Sequence, residues 1–162
     1  MREARDHAGV IAPPPLLALA AIVLGLVLDW LMPAYVLVVL LTRFERIFIA
    51  VLLFAAGAAL AAPALYGFRA AGTHVEPWKS ATALVTQGVF AWLRNPMYVS
   101  LTLFLIALSL ALASDWMLVM TVAFVLVIHF GVVKREERYL EAKFGDAYRQ
   151  YKARVPRYGW PS

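Results

Sequence analysis

The chain has 162 residues, of which 63% are hydrophobic and 15% charged, and its net charge at pH 7 is +5. Soluble domains carry about 25% charged residues, and a fold this small cannot hide so much apolar surface from water. With a mean hydropathy of +0.75, a soluble globular enzyme, a disordered chain and a nucleic-acid-binding module are excluded, which leaves an all-α polytopic integral membrane protein.

The first ten residues mix charges, with Arg2, Glu3, Arg5 and Asp6. After Pro13-Pro14-Pro15 an apolar run covers 16–32. It has no small-residue cleavage site in frame, so it reads as a retained span rather than a signal peptide. A short apolar stretch at 35–41 is too short to cross and either lies at the interface or re-enters. The clearest span, 47–68, contains no charged residue. A third covers 97–114 and a fourth 116–133, interrupted only by His129. Each of the four approaches the ~17–25 residues a crossing needs. Ser114-Asp115 leaves room only for a tight hairpin between the last two. The tail reads as two helices, 134–144 and 147–155, with Gly145 as C′ residue and Asp146 as N-cap. Tyr139, Leu140, Phe144, Tyr148 and Tyr151 give that tail an apolar face suited to folding back under the spans. The whole chain, 1–162, forms one membrane domain.

Four spans put both termini and the 69–96 loop on one side. Thirteen of the fifteen Lys and Arg fall there, and only Arg43 and Arg46 on the other. Lys and Arg concentrate on the cytoplasmic face, so both termini are expected in the cytoplasm. The basic balance is thus a topology signal, with anionic lipid headgroups as its partner and no nucleic acid. With no cysteine, disulfides and thiolate sites are excluded. His7, His74 and His129 are too scattered for a ligand motif, so no metal is expected. Small-residue runs such as Ala55-Ala56-Gly57-Ala58-Ala59 permit close helix packing, within one chain or between chains.

Chemistry has two places to reside on the cytoplasmic side, 72–98 and 129–158. In Arg94-Asn95-Pro96-Met97-Tyr98, Asn95 suits an N-cap and Pro96 the first helical position. The plain reading is a capped helix with an interfacial arginine and tyrosine. The sharper one is an anion-binding helix start with Arg94 beside it. His129 lies inside a span, where a polar residue is a functional candidate. Helix geometry puts His129 and Glu136 on one face, about 10 Å apart. Glu136-Glu137, within a charged run, has the plain reading of a solvated face.

Taken in order, a polar loop, Arg94-Asn95-Pro96-Met97-Tyr98, a two-span hairpin, His129, Arg135-Glu136-Glu137-Arg138-Tyr139-Leu140, Phe144-Gly145, Tyr148, Tyr151 and Val155-Pro156 resemble the isoprenylcysteine carboxyl methyltransferase family in its broad sense. That sense includes phospholipid methyltransferases and small bacterial members. The resemblance covers 72–158. Asn95 stands where eukaryotic members carry His, and Ser100 where a Gly is common, which places the chain in the bacterial branch and its membrane as a bacterial cytoplasmic one. The resemblance implies S-adenosylmethionine as cofactor and a lipid-like or membrane-partitioning methyl acceptor: an isoprenylcysteine carboxylate, a phospholipid amine or a small thiol. It implies that Gln87, Gly88, Asn95, Pro96, Tyr98, His129, Glu136 and Glu137 bind the cofactor, and that Glu136, Glu137 and Arg94 serve catalysis. The acceptor would enter sideways between the second, third and fourth spans. Two alternatives share the outline: a sterol-reductase-like enzyme using NADPH, and an inactive membrane scaffold.

Overall fold

The computed structural model describes residues 7–159. The described residues form helices and connecting loops with no strand. Helix α1 is Pro14–Leu31, α2 the short Val36–Leu40, and α3 Arg43–Ala70. A 3-10 turn, Gly88–Ala91, leads into α4, Pro96–Leu112. Helix α5, Asp115–Ile128, passes through a π turn, His129–Val133, into α6, Lys134–Phe144, and α7 is Asp146–Arg154.

Three helical stretches are long and apolar enough to cross a membrane: Pro14–Leu31, Arg43–Ala70 and the continuous Asp115–Phe144. Helix α4, the third of the four expected spans, is apolar but has 17 residues. Its start is fixed by Pro96 at N1 and its end by Ala113, which takes a left-handed φ of 57°. Helix α3 begins four residues before the apolar run, because Thr42-Arg43-Phe44-Glu45 makes a capping box. Glu45 N–H donates to Thr42 Oγ1 while the Glu45 carboxylate accepts from Thr42 N–H at 2.8 Å. This serine/threonine-x-x-glutamate pattern satisfies two orphan donors reciprocally.

The helices pack in pairs, α1 on α5 and α3 on α4. Glycine lets each pair approach closely. A Cβ on Gly25 would fall 2.5 Å from Met117 Cα, and one on Gly57 2.7 Å from Phe104 Cε1. Of the small-residue run, Gly57 is therefore used inside the chain, while Ala55, Ala56 and Ala59 are exposed. One end of the bundle is held by polar caps. Ser114 Oγ donates to Asp29, and Asp115 accepts the Val36 and Leu37 N–H groups at 3.0 and 2.9 Å. Trp116 Nε1 donates to Met32 O at 2.7 Å. At the other end the N-terminal segment lies on the π turn, with Ile11 N–H donating to Gly131 O and Arg135 Nη1 to Gly9 O.

The expected tail helices are present, with one shift. Gly145, at φ 55°, closes α6 and starts α7 directly, so Asp146 is the first residue of α7 rather than its cap. Tyr148, Tyr151 and Val155 are buried together with Leu84, Leu140 and Phe144 against them. The apolar face of the tail thus covers the 80s loop.

Candidate active site

Arg94 and Asn95 sit where the loop ends and α4 begins. The 3-10 turn before them is pinned by Phe90, whose ring meets Phe68 edge-on at 5.0 Å and whose carbonyl accepts from Tyr151 Oη at 2.7 Å. The Arg94 side chain is only 4% exposed. Its Nη1 lies 2.8 Å from Glu137 Oε1 and its Nε, also buried, finds no hydrogen-bond partner among the described residues. Its backbone N–H donates to Pro156 O.

Glu137 accepts a second guanidinium. Arg157 Nε and Nη2 reach its two oxygens at 2.8 and 2.7 Å. A carboxylate buried with two arginines is held by charge-assisted, forked hydrogen bonds, the strongest kind in a protein interior. Asn95 occupies the N-cap position but does not cap with its side chain. Its amide donates instead to Arg157 O at 3.2 Å. Residues 155–158 therefore form a strap across the start of α4. Tyr158 Oη extends the strap to His129 Nδ1, 2.9 Å away.

Glu136 faces elsewhere. Its Oε2 accepts from Tyr98 Oη at 2.7 Å, joining α6 to α4. The π turn explains why Glu136 and His129 do not act as a stacked pair. Lys134 N–H bonds back to His129 O, five residues away. One extra residue in the turn rotates everything beyond it by roughly 100°. His129 thus meets the strap and Glu136 meets α4.

Two adjoining cavities meet at Arg94, Asn95 and Glu136. One, of about 70 Å³, lies under the 73–85 loop against α6 and α7, with Glu76, Tyr139 and Tyr148 in its wall. The other, of about 220 Å³, is mostly apolar and runs between α3 and α4, from Trp78 and Tyr98 to Phe104, with Pro14 and Pro15 at its edge. Helix α5 lines neither. The larger cavity is accordingly walled by α3 and α4, with the start of α1 at its edge and Glu136 of α6 at its end. Buried phenols surround the smaller cavity. Burial, with the Glu137 charge adding to it, pushes the Tyr148 hydroxyl up to about 12. Burial raises Tyr151 as well.

Of the residues singled out from sequence, Arg94, Asn95, Pro96, Tyr98, Glu136 and Glu137 come together here. Gln87 and Gly88 are exposed and line neither cavity. They lie outside because the chain bulges outward at Gln87 and Gly88, between Val85 and Phe90, which both line the smaller cavity. His129 also lines neither. Sequence reasoning missed Arg157, whose only signal is a basic residue directly after the helix-ending Val155-Pro156. It also missed Phe68 and Phe104, two among many span aromatics. Among the described residues no cluster of His, Asp or Glu is arranged to hold a metal ion.

The model of the phospholipid methyltransferase family matches residues 45–147, well over half of the chain. The chain belongs to that family. Relatives of this phospholipid methyltransferase family member include an uncharacterized Haemophilus influenzae protein. It is 47% identical over 62 residues, which are 38% of this chain and 98% of that protein. A protein-S-isoprenylcysteine O-methyltransferase of Schizosaccharomyces pombe is 37% identical over 76 residues, 45% of this chain and 31% of the yeast enzyme. The similarity to the yeast enzyme thus spans under a third of its length. No solved structure matches the chain significantly.

Proposed function

We propose that this chain is an S-adenosylmethionine-dependent methyltransferase of four spans, with both termini and the site on the cytoplasmic side of a bacterial membrane, acting on a lipid-like acceptor. The observation that carries the reading is the meeting, at Arg94, Asn95 and Glu136, of a smaller cavity bordered by charged and phenolic side chains with a larger, more apolar one. A polar cofactor and an apolar acceptor need such adjoining compartments, because transfer requires the two reacting atoms in contact and in line.

The residues fit the cofactor's chemistry. When bound, its sulfonium supplies an electrophilic methyl group. The buried, unpartnered Arg94 Nε suits a carboxylate, and Glu136 and Glu76 suit positive charge. At about 70 Å³ the polar cavity is smaller than the ~300–1,000 Å³ of typical ligand sites, so the loop over it must lift to admit a ligand. Glu136 is the carboxylate suited to contact the reacting groups. For an amine acceptor it would also take up the proton that the ammonium must lose, whereas a carboxylate or thiolate acceptor needs none. Glu137, held by Arg94 and Arg157, serves by fixing Arg94 and the strap. Tyr98 orients Glu136 through its hydroxyl.

Isothermal titration of the purified protein with the cofactor or its demethylated product tests the reading, using wild type and Glu136→Gln. Wild type should bind and Glu136→Gln should bind at least tenfold more weakly with an unchanged melting temperature. Equal affinities would overturn the assignment of Glu136. Transfer of labelled methyl from the cofactor into a native membrane extract then identifies the acceptor, and no labelled lipid-like product would overturn the activity.

A further inference from the structure

The apolar cavity is lined along α4 as far as Phe104, and from Tyr98 to Phe104 this is six residues, about 9 Å of helix. Phe104 is its last lining residue on α4. One turn before it, Ser100 Oγ donates to Gly57 O at 2.6 Å, a buried bond from an α4 side chain to the α3 backbone. Phe104 lies over the same glycine. Its ring would be 2.7 Å from a Cβ at position 57, and Phe54 packs against it at 5.0 Å between ring centroids. Phe104 thus touches both Gly57 and Phe54 and also lines the cavity. On α3 the cavity wall begins one turn further on, at Ala61, whose small side chain leaves space where the helices diverge.

We propose that Phe104, seated on Gly57, sets the length of hydrocarbon chain that the α3–α4 cavity accepts, and so acts as the residue that selects acceptors by chain length. This rests on reading that cavity as the acceptor's apolar compartment. The occupant is a single aliphatic chain. The head of that chain lies at the Tyr98–Glu136 end, where the cavity adjoins the polar one, and its tail meets the Phe104 ring. Removing the ring opens the cavity toward Gly57 by about one helical turn, ~5.4 Å or about four methylenes. Adding a methyl at Gly57 should do the opposite, because of its two close contacts the Ser100 carbonyl is backbone and the Phe104 ring, which lines the cavity, is the part that can shift.

The test uses full-length protein in lipid nanodiscs and a homologous series of n-alkanols, butyl to dodecyl, carrying a terminal diazirine. Photolabelled residues are mapped by mass spectrometry. In wild type, labelling within the α3–α4 cavity should rise with chain length, reach residues around Phe104, and then fall beyond a cutoff. Phe104→Ala should move that cutoff about four carbons longer, and Gly57→Ala should move it shorter. If Gly57→Ala does not fold, Phe104→Trp supplies the shortening arm. Folded variants that keep the wild-type cutoff would overturn the proposal. Cofactor titration and methyl transfer, run on the same samples, separate the two readings. A shifting cutoff without transfer defeats the methyltransferase reading and leaves the length stop standing. Transfer with a fixed cutoff does the reverse.

Discussion

Arg157 reaches back twenty residues to grip both oxygens of Glu137, at 2.8 and 2.7 Å. Arg94 shares that carboxylate at 2.8 Å. One side chain of α6 thereby joins the start of α4 and the C-terminal strap. Removing one member of a buried ion pair leaves an uncompensated charge and costs about 3–5 kcal/mol. Glu137→Gln should accordingly lower the melting temperature strongly in nanodiscs, whether or not ligand is present. Arg157→Gln should cost less, because Arg157 is 21% exposed where Arg94 is 4% exposed. A Glu137→Gln protein as stable as wild type would contradict the structural role. Because Glu137→Gln loosens the site whether or not ligand is bound, Glu136→Gln is the informative probe of ligand binding.

His129 and Tyr158 form a hydrogen-bonded pair that ties the π turn to the strap at 2.9 Å. Because the two share this bond, their substitutions should not add fully. His129→Phe and Tyr158→Phe should each raise hydrogen exchange in the strap, and the double variant should raise it by less than the sum of the two. Fully additive effects would mean that the shared bond contributes nothing to the strap. A loss of cofactor affinity in His129→Phe but not in Tyr158→Phe would return His129 to the binding site.

The helices and the family were legible because apolar runs and ordered motifs are local features of the chain. The site was legible only in part. Glu136 and Glu137 are neighbours, and sequence treats them alike, yet their different directions on α6 give one to Tyr98 and the other to two arginines. The π turn between His129 and Lys134 alters the face on which every later residue lies, and no periodicity in the sequence announces it. Gln87 and Gly88 were placed by motif order, whereas their position depends on how Phe90 packs between Phe68 and Tyr151. Arg157 escaped because its partner lies across the fold. The capping box at Thr42 and Glu45 also went unread, although its spacing is local.

Gly25 marks the crossing of α1 and α5. A Cβ there would lie 2.5 Å from Met117 Cα and 2.9 Å from Met117 N. Backbone atoms cannot turn aside as a side-chain tip can, so the helices must part. Gly25→Ala should destabilise the protein by about 1–3 kcal/mol, seen as a lower melting temperature. Gly9→Ala is no control, because its positive φ strains any side chain. Met117→Ala is no rescue either, since the collision is with backbone. An unchanged melting temperature in Gly25→Ala would show that α1 is free to shift.

Tyr148 links the site to pH. Its side chain is buried beside Arg94, whose Nη1 donates to its hydroxyl at 3.4 Å, and burial pushes its pKa up to about 12. An unfolded tyrosine ionises near 10. The folded protein therefore holds this proton more tightly than the unfolded chain does. The associated stability is fully present below pH ~10 and is lost as pH rises through about 12. Tyr158, also raised to about 12 mainly by burial, acts in the same direction and window. Melting temperature should accordingly stay flat on the alkaline side until pH ~10 and fall steeply above it. Tyr148→Phe should lessen that fall, because the phenylalanine has no proton to lose. Tyrosinate absorbance should show a group of phenols titrating well above the exposed ones. An ordinary midpoint for every tyrosine in the folded protein, with the same slope in Tyr148→Phe, would show that water reaches the phenol at the base of the smaller cavity.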